Sequence, residues 1–316
     1  GDYFKKITEV PKIPFLDEEE IITHIKRLID HHADDNQYEL LEHLSSALLT
    51  ISRDAYTFAT PVIMPETKTG NFILQSVFEV NENKQWKGFL KKYKLNSDEK
   101  IAAGSPLIDP TAPVLEAGKL LKEKKPDDRN IWTSIDGITH SINNFTTSNY
   151  KILAEELFKG VTTWAGRTNN KETVENLIKF TRGYDTYDTD NDGSINDTDR
   201  WKLADIYHSK PFFVSTPNDN YTIDNETSTK SETQFRADND YGSFVSNNSR
   251  SGKEIILVGS NAGMLHAFDA TTLQEKWAFI PPSMLSKLRN VMDGTQTEAD
   301  KGLLPTHKTK SIYGLD

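Results

Sequence analysis

The segment from Lys253 to Ile280 constrains the fold of this 316-residue chain more than any other. Glu254 to Val258, Met264 to Phe268 and Glu275 to Ile280 each have strand composition. Gly259-Ser260-Asn261-Ala262-Gly263 separates the first two, and Asp269-Ala270-Thr271-Thr272 opens the gap before the third. Connections this short can join only antiparallel neighbours, because a parallel return needs a crossover of a dozen residues or more. The segment therefore reads as a three-stranded antiparallel meander. Pro281-Pro282 then starts a short helix carrying Leu285, Leu288 and Met292, and Ser311 to Asp316 reads as the entry to another strand.

The rest of the chain is organised around that unit. Asp17 and Glu20 form a capping box, followed by the helical stripe Ile21, Ile25, Leu28 and Ile29. A second stripe runs through Tyr38, Leu41, Leu44, Leu48 and Ile51. Phe72 to Val80 and Trp86 to Leu95 read as a hairpin around Asn81 to Gln85. Residues 104 to 130 are rich in Pro and Lys and read mainly as a long surface connection before the short strand Ile131-Trp132-Thr133. Helical spacing returns at residues 150 to 159, through Leu153 and Leu157, and at 171 to 181, through Val174, Leu177 and Ile178. Residues 216 to 251, rich in Asn, Asp, Ser and Thr, read as a long mobile insertion.

Residues 188 to 199 carry the clearest chemistry. Asp188, Asp190, Asp192, Gly193, Ile195 and Asp199 occupy positions 1, 3, 5, 6, 8 and 12 of the twelve-residue EF-hand template. Calcium takes six to eight hard oxygens at about 2.3–2.6 Å, and alternate aspartates converge their short carboxylates on one point. Gly193 permits the sharp turn. Ser194 offers its carbonyl, Asn196 coordinates directly or through water, and Asp199 closes the shell with one methylene less than the usual Glu. Ile195 is expected to point away and anchor the loop on the core. Without an ion, five aspartates within this stretch repel one another. The expected cofactor is a calcium ion, in a structural clip rather than a switch, because no Met-rich target groove accompanies it.

Composition removes several functions. A net charge of −10 opposes nucleic-acid binding, which needs a surplus of Lys and Arg. Zero cysteines exclude disulfide scaffolds, thiolate zinc sites and thiol catalysis. Apolar runs of the roughly 18 residues needed to span a membrane as a helix are absent from the sequence. Asp205, His208 and Ser209 lie close together, but sequence neighbours rarely make a triad, and the sequence has no G-x-S-x-G elbow. His208 reads as a packed or capping histidine, His266 as a satisfied buried one, and His31-His32 with Asp34-Asp35 as a solvated helix end. The five tryptophans, Trp86, Trp132, Trp164, Trp201 and Trp277, read as core anchors.

The run Gly259-Ser-Asn-Ala-Gly263, Leu265-His-Ala-Phe-Asp-Ala-Thr-Thr272 and Trp277 is similar to one blade of a quinoprotein-type β-propeller. With Pro281-Pro282 it also resembles the C-terminal region of the PilC/PilY type IV pilus tip proteins. So do Trp86 to Leu95 with Leu115 to Gly118 and Arg129 to Thr133, and Arg182-Gly183 with Trp201 to Pro211. The similarity covers about residues 56 to 316. It implies a mainly β fold: part of a modified quinoprotein-like β-propeller with helical insertions, preceded by a short αβ segment. Residues 1–54 are then the C-terminal strand and helices of a von Willebrand A-like domain, without its D-x-S-x-S ion motif, and 55–316 the N-terminal part of the propeller. The resemblance further implies a non-enzymatic protein of the bacterial cell surface, at the pilus tip or outer membrane, supporting pilus assembly, adhesion and twitching. Its implied partners are minor pilins or other tip components, and a host or abiotic surface. Two competing readings are a quinoprotein-like propeller enzyme, against which the missing cysteines and acid–base pair count, and a secreted calcium-clipped scaffold module.

Overall fold

The computed structural model describes residues 62–67, 70–80, 85–95, 109, 111–164, 167–188, 192–196, 198, 200–217, 235–236, 238–292 and 314–315. The segment 1–54 assigned to a preceding αβ domain, with its two helical stripes, lies outside them.

The first sheet is antiparallel, in the order β1 (Val62–Thr67), β2 (Gly70–Glu79), β3 (Lys87–Lys94) and β4 (Leu115–Glu116). The predicted hairpin is present as β2 and β3, in continuous register from Phe72 opposite Lys94 to Glu79 opposite Lys87. Side chains alternate along the pleat, so Gly88, Leu90 and Lys92 turn to the buried face.

The stretch read as a surface connection departs from expectation. It holds a helix, α1 (Ala117–Glu123), and a 3-10 turn at Pro126–Asp128. Glu116 caps α1 by accepting from the backbone N–H of Gly118 and Lys119, at 2.7 and 2.6 Å. Its lysines face water while Ala117 and Leu121 join Leu74, Leu90, Leu203, Ile206, Ile256, Val258 and Phe268 in one apolar cluster. A short amphipathic helix is hard to see when Lys and Pro dominate the composition around it.

Next come β5 (Ile131–Trp132), α2 (Tyr150–Leu157), the small hairpin β6 (Thr163–Trp164) and β7 (Arg167–Thr168), and α3 (Lys171–Arg182). Asn170 caps α3 through the Thr173 N–H at 2.9 Å, and Gly183, at φ 106°, ends it in the left-handed conformation that glycine tolerates. The apolar faces of α2 and α3 pack on Ile131, Ala278 and Ile280 in a second cluster.

The meander is present as β9 (Ile255–Ser260), β10 (Met264–Asp269) and β11 (Glu275–Phe279), all antiparallel. Asp269 closes the second turn by accepting from the N–H of Thr271 and Thr272, at 3.0 and 2.9 Å. The sheet is wider than three strands: β8 (Phe212–Val214) pairs antiparallel with β9, and β5 pairs parallel with β11. The order is β5-β11-β10-β9-β8. Among the described residues both sheets are open and no ring of blades closes. Residues 314–315 run beside the β9 end, where the Gly314 N–H donates to Asn261 Oδ1 at 3.0 Å. The insertion contains a helix, α4 (Tyr241–Asn247), and the predicted helix after Pro281 is two single turns, α5 (Pro282–Leu285) and α6 (Leu288–Val291).

Two expectations are corrected here. The chain is not mainly β: helical and extended segments occur in comparable amounts among the described residues. Nor are four of the five tryptophans buried anchors; the side chain of Trp164 lies outside what the structure describes. Trp86, Trp132, Trp201 and Trp277 are half-buried, covering sheet faces with one edge in water. Trp86 stacks on Phe78 at 5.5 Å, and Trp132 lies 4.4 Å from Phe279.

A polar network ties these layers together. Arg129, wholly buried, donates through Nε and Nη2 to both Glu275 oxygens at 2.8 Å, and through Nη1 to the Arg182 carbonyl at 2.7 Å. Arg182 in turn donates to the carbonyls of Pro126, Arg129 and Phe145. One residue past this junction the chain turns at Gly183 toward the acidic loop.

Candidate functional site

The loop beginning at Asp188 stands on the C-terminus of α3. Within it the structure describes Asp188, Asp192, Gly193, Ser194, Ile195, Asn196 and Thr198, while Asp190 and Asp199 lie outside the described residues. Asp188 Oδ1 accepts from the backbone N–H of Asp192 at 3.1 Å and of Gly193 at 3.3 Å. Asp192 Oδ1 accepts from the Ser194 N–H at 2.6 Å. These bonds curl the backbone back toward its first aspartate. Asp188 at φ 48° and Gly193 at φ 78° supply the two left-handed residues that such a curl needs. The loop base is fastened by the Asp185 N–H donating to the Ile195 carbonyl at 2.9 Å.

Ile195 does not behave as expected. Its side chain is 38% exposed, so the loop is not anchored by burial at that position. The anchor is polar and comes from elsewhere. Asn196 Nδ2 donates to Asp127 Oδ2 at 2.7 Å, and the Tyr184 hydroxyl donates to Asp127 Oδ1. Burial raises the Tyr184 hydroxyl to about 12, helped by the hydrogen bond to Asp127 and its charge, so it stays protonated and remains a donor. The other end of the amide, Asn196 Oδ1, is shielded from water and has no hydrogen-bond donor among the described residues. Arg200, just past the loop, packs over the Phe180 ring at 3.7 Å and donates to the carbonyls of Phe180 and Tyr184. Burial lowers its guanidinium to about 10, against the opposing pull of Asp185 and Tyr187, which leaves it charged at neutral pH.

Of the sequence-predicted ligands, Asp188, Asp192, Ser194 and Asn196 thus lie on one curled segment. Among the described residues no group of three or more His, Cys, Asp or Glu side chains gathers around a point. The sequence reading assigned no role to Asp127 or Tyr184. Asp127 belongs to the stretch read as a surface connection, 69 residues from Asn196, and no local signal in the sequence marks it.

The other candidates resolve into structural roles. Asp205 Oδ2 accepts from Asn261 Nδ2 at 2.5 Å, and Ser209 Oγ accepts from the Gly259 N–H at 2.9 Å. Both hold the β9–β10 turn. His208 is exposed, with its ring edge-on to Tyr207 at 4.4 Å, rather than packed. His266 is fully buried and satisfied: Nδ1 donates to Glu275 Oε1 at 2.9 Å, and Nε2 faces Ser260 Oγ at 3.1 Å. Burial lowers its basicity more than Glu275 restores it, so the ring is neutral.

Two curated relatives match. The type IV pilus biogenesis factor PilY1 of Pseudomonas aeruginosa strain UCBPP-PA14 is 27% identical over 260 residues, 80% of this chain and 20% of the relative. The chain is thus similar to type IV pilus biogenesis factors of the PilY1 kind. The PilY1 homolog of Xylella fastidiosa strain Temecula1 is 27% identical over 172 residues, 50% of this chain and 13% of the relative. The chain therefore spans a fifth or less of the length of these PilY1 proteins. No family model and no solved structure matches it. No helix among the described residues is long and apolar enough to cross a membrane.

Proposed function

We propose that this chain is part of a type IV pilus biogenesis protein whose loop 188–199 holds a structural calcium ion. The biogenesis role rests on the match to a PilY1 factor across 80% of the chain. Asp188, Asp190, Asp192, the Ser194 carbonyl, Asn196 and Asp199 would supply the oxygens. The observation that carries the calcium reading is Asn196 Oδ1, a dehydrated acceptor with no donor among the described residues, on the segment curled by Asp188. A buried amide oxygen without a proton donor is costly, and a cation offsets that cost. The ion would clip the chain between α3 and the strand region that follows. The five-stranded sheet supports a further proposal, that β8 to β11 form one blade of a modified propeller. In the whole protein this region would serve pilus assembly, surface adhesion and twitching at the cell surface, among minor pilins or other tip components.

Calorimetric titration of the 316-residue chain with CaCl2 tests the ion. Saturable binding is expected near the 10⁻⁴–10⁻³ M typical of extracellular modules, roughly, and none in Asp190→Ala/Asp192→Ala. No heat and no thermal stabilisation at millimolar calcium would remove the ion from the proposal. Normal piliation and twitching in a strain deleted for the gene would remove the pilus role.

A further inference from the structure

Asp127 sits in the 3-10 turn after α1, far in sequence from the acidic loop, yet it holds both the loop and its approach. One carboxylate oxygen, Oδ2, receives the Asn196 amide N–H at 2.7 Å, and the other, Oδ1, receives the Tyr184 hydroxyl. An Asn amide has two ends, and fixing the NH2 end fixes the direction of the carbonyl. With Nδ2 committed to Asp127, Oδ1 is the end left shielded and without a donor. Tyr184 lies between Gly183 and Asp185, and the Asp185 N–H is itself bonded to the Ile195 carbonyl, next to Asn196. Asp127 therefore joins the segment entering the loop to Asn196 in the loop's second half. Its own backbone is set by the network that buries Arg129 and Arg182, since Arg182 Nη2 donates to the carbonyls of Pro126 and Arg129 on either side.

We infer that Asp127, with Tyr184, is a positioning pair that orients the Asn196 amide so that its oxygen faces a divalent cation in the loop. The inference rests on the calcium reading above. Asp127 would not touch the ion; it acts as the outer-shell carboxylates of metal sites do, by presetting a ligand that would otherwise rotate. Its place on another segment also means that cation binding would tighten the junction between the α1 region and the end of α3.

Calcium affinity of the full 316-residue chain, by calorimetry with CaCl2 as the probe, separates this from its alternatives. Asp127→Ala is expected to weaken binding by roughly 10-fold or more, as loss of an outer-shell partner commonly does. Tyr184→Phe, which changes no charge at neutral pH, is expected to weaken it by a smaller factor of a few. Asp128→Ala is the control, because it removes the same charge from the neighbouring exposed position. Equal, small losses in Asp127→Ala and Asp128→Ala would reduce Asp127 to a distant charge and overturn the inference, while leaving the calcium reading intact if Asp190→Ala/Asp192→Ala still abolishes binding. A wild type that binds no calcium would overturn both. The second readout is the calcium-dependent rise in Tm, expected to shrink in Asp127→Ala and to persist in Asp128→Ala.

Discussion

Arg129 and Glu275 form the most consequential single contact for the architecture that carries the acidic loop. Both side chains are out of water, at 1% and 0% exposure, and bond through both forks at 2.8 Å. Replacing Arg129 by Met leaves a buried carboxylate with only His266 for a partner, and strips a donor from the Arg182 carbonyl. Breaking a buried pair from one side costs about 3–5 kcal/mol, because the surviving charge stays dehydrated. Glu275→Leu should cost about as much: it strands the Arg129 guanidinium and leaves His266 Nδ1–H without its acceptor. The double variant Arg129→Met/Glu275→Leu removes both charges and leaves only neutral groups short of partners, the His266 N–H and the Arg182 carbonyl. At about 1–3 kcal/mol for such orphans it should be no worse than either single change. The coupling in a double-mutant cycle is then about 3 kcal/mol or more. Urea unfolding of the four proteins, with the slope checked for constancy, reads it directly. Additive losses would refute the argument, since they would mean that neither charge depends on the other for its place in the core.

One further prediction concerns the same network. Burial holds the His266 imidazole below its ordinary pKa of 6.5, and the Arg129 charge with hydrogen bonds from Arg129 and His266 holds Glu275 low despite burial. In both, the unfolded chain takes up a proton that the folded chain refuses. The His266 contribution is therefore complete above about pH 6.5 and lost as pH falls below it; the Glu275 contribution is lost only below about pH 4.5. Between pH 6.5 and 5 stability should drop by up to about 2 kcal/mol, and His266→Gln should flatten that interval in a Tm-against-pH series while leaving the steeper loss at lower pH. Separately, Gly88→Ala should destabilise by about 1–3 kcal/mol in urea, because its Cβ would lie 1.9 Å from the Ala204 carbonyl oxygen and push away the segment bonded through Leu203. An unchanged midpoint would mean that this approach is looser than described.

Which parts of the molecule were legible in the sequence depends on the reach of the interactions that make them. The meander was legible because its turns are local: Asp269 bonds two and three residues ahead, and Gly263 takes φ 82° between paired strands. The α2 and α3 helices were legible because their apolar periodicity is set by one face against one cluster. The parallel pairing of β5 with β11 was not, because it joins Ile131 to Ala278 and leaves no mark in either neighbourhood. The tryptophans misled for a related reason: ring size argues for burial, but on a half-covered sheet face one edge of the indole remains wet. The loop divides the same way. Template spacing alone predicts a curl around Asp188, and the bonds from Asp192 and Gly193 make it. The choice of anchor could not be read there, because the template places it on the apolar residue at 195, whereas this fold spends an aspartate 69 residues away to hold Asn196. The curl around Asp188 is therefore made by local bonds, whereas the aspartate that holds Asn196 is framed by the long-range network of Arg129, Arg182 and Glu275. A change in that network should reach the loop through Asp127 without touching any residue of the template.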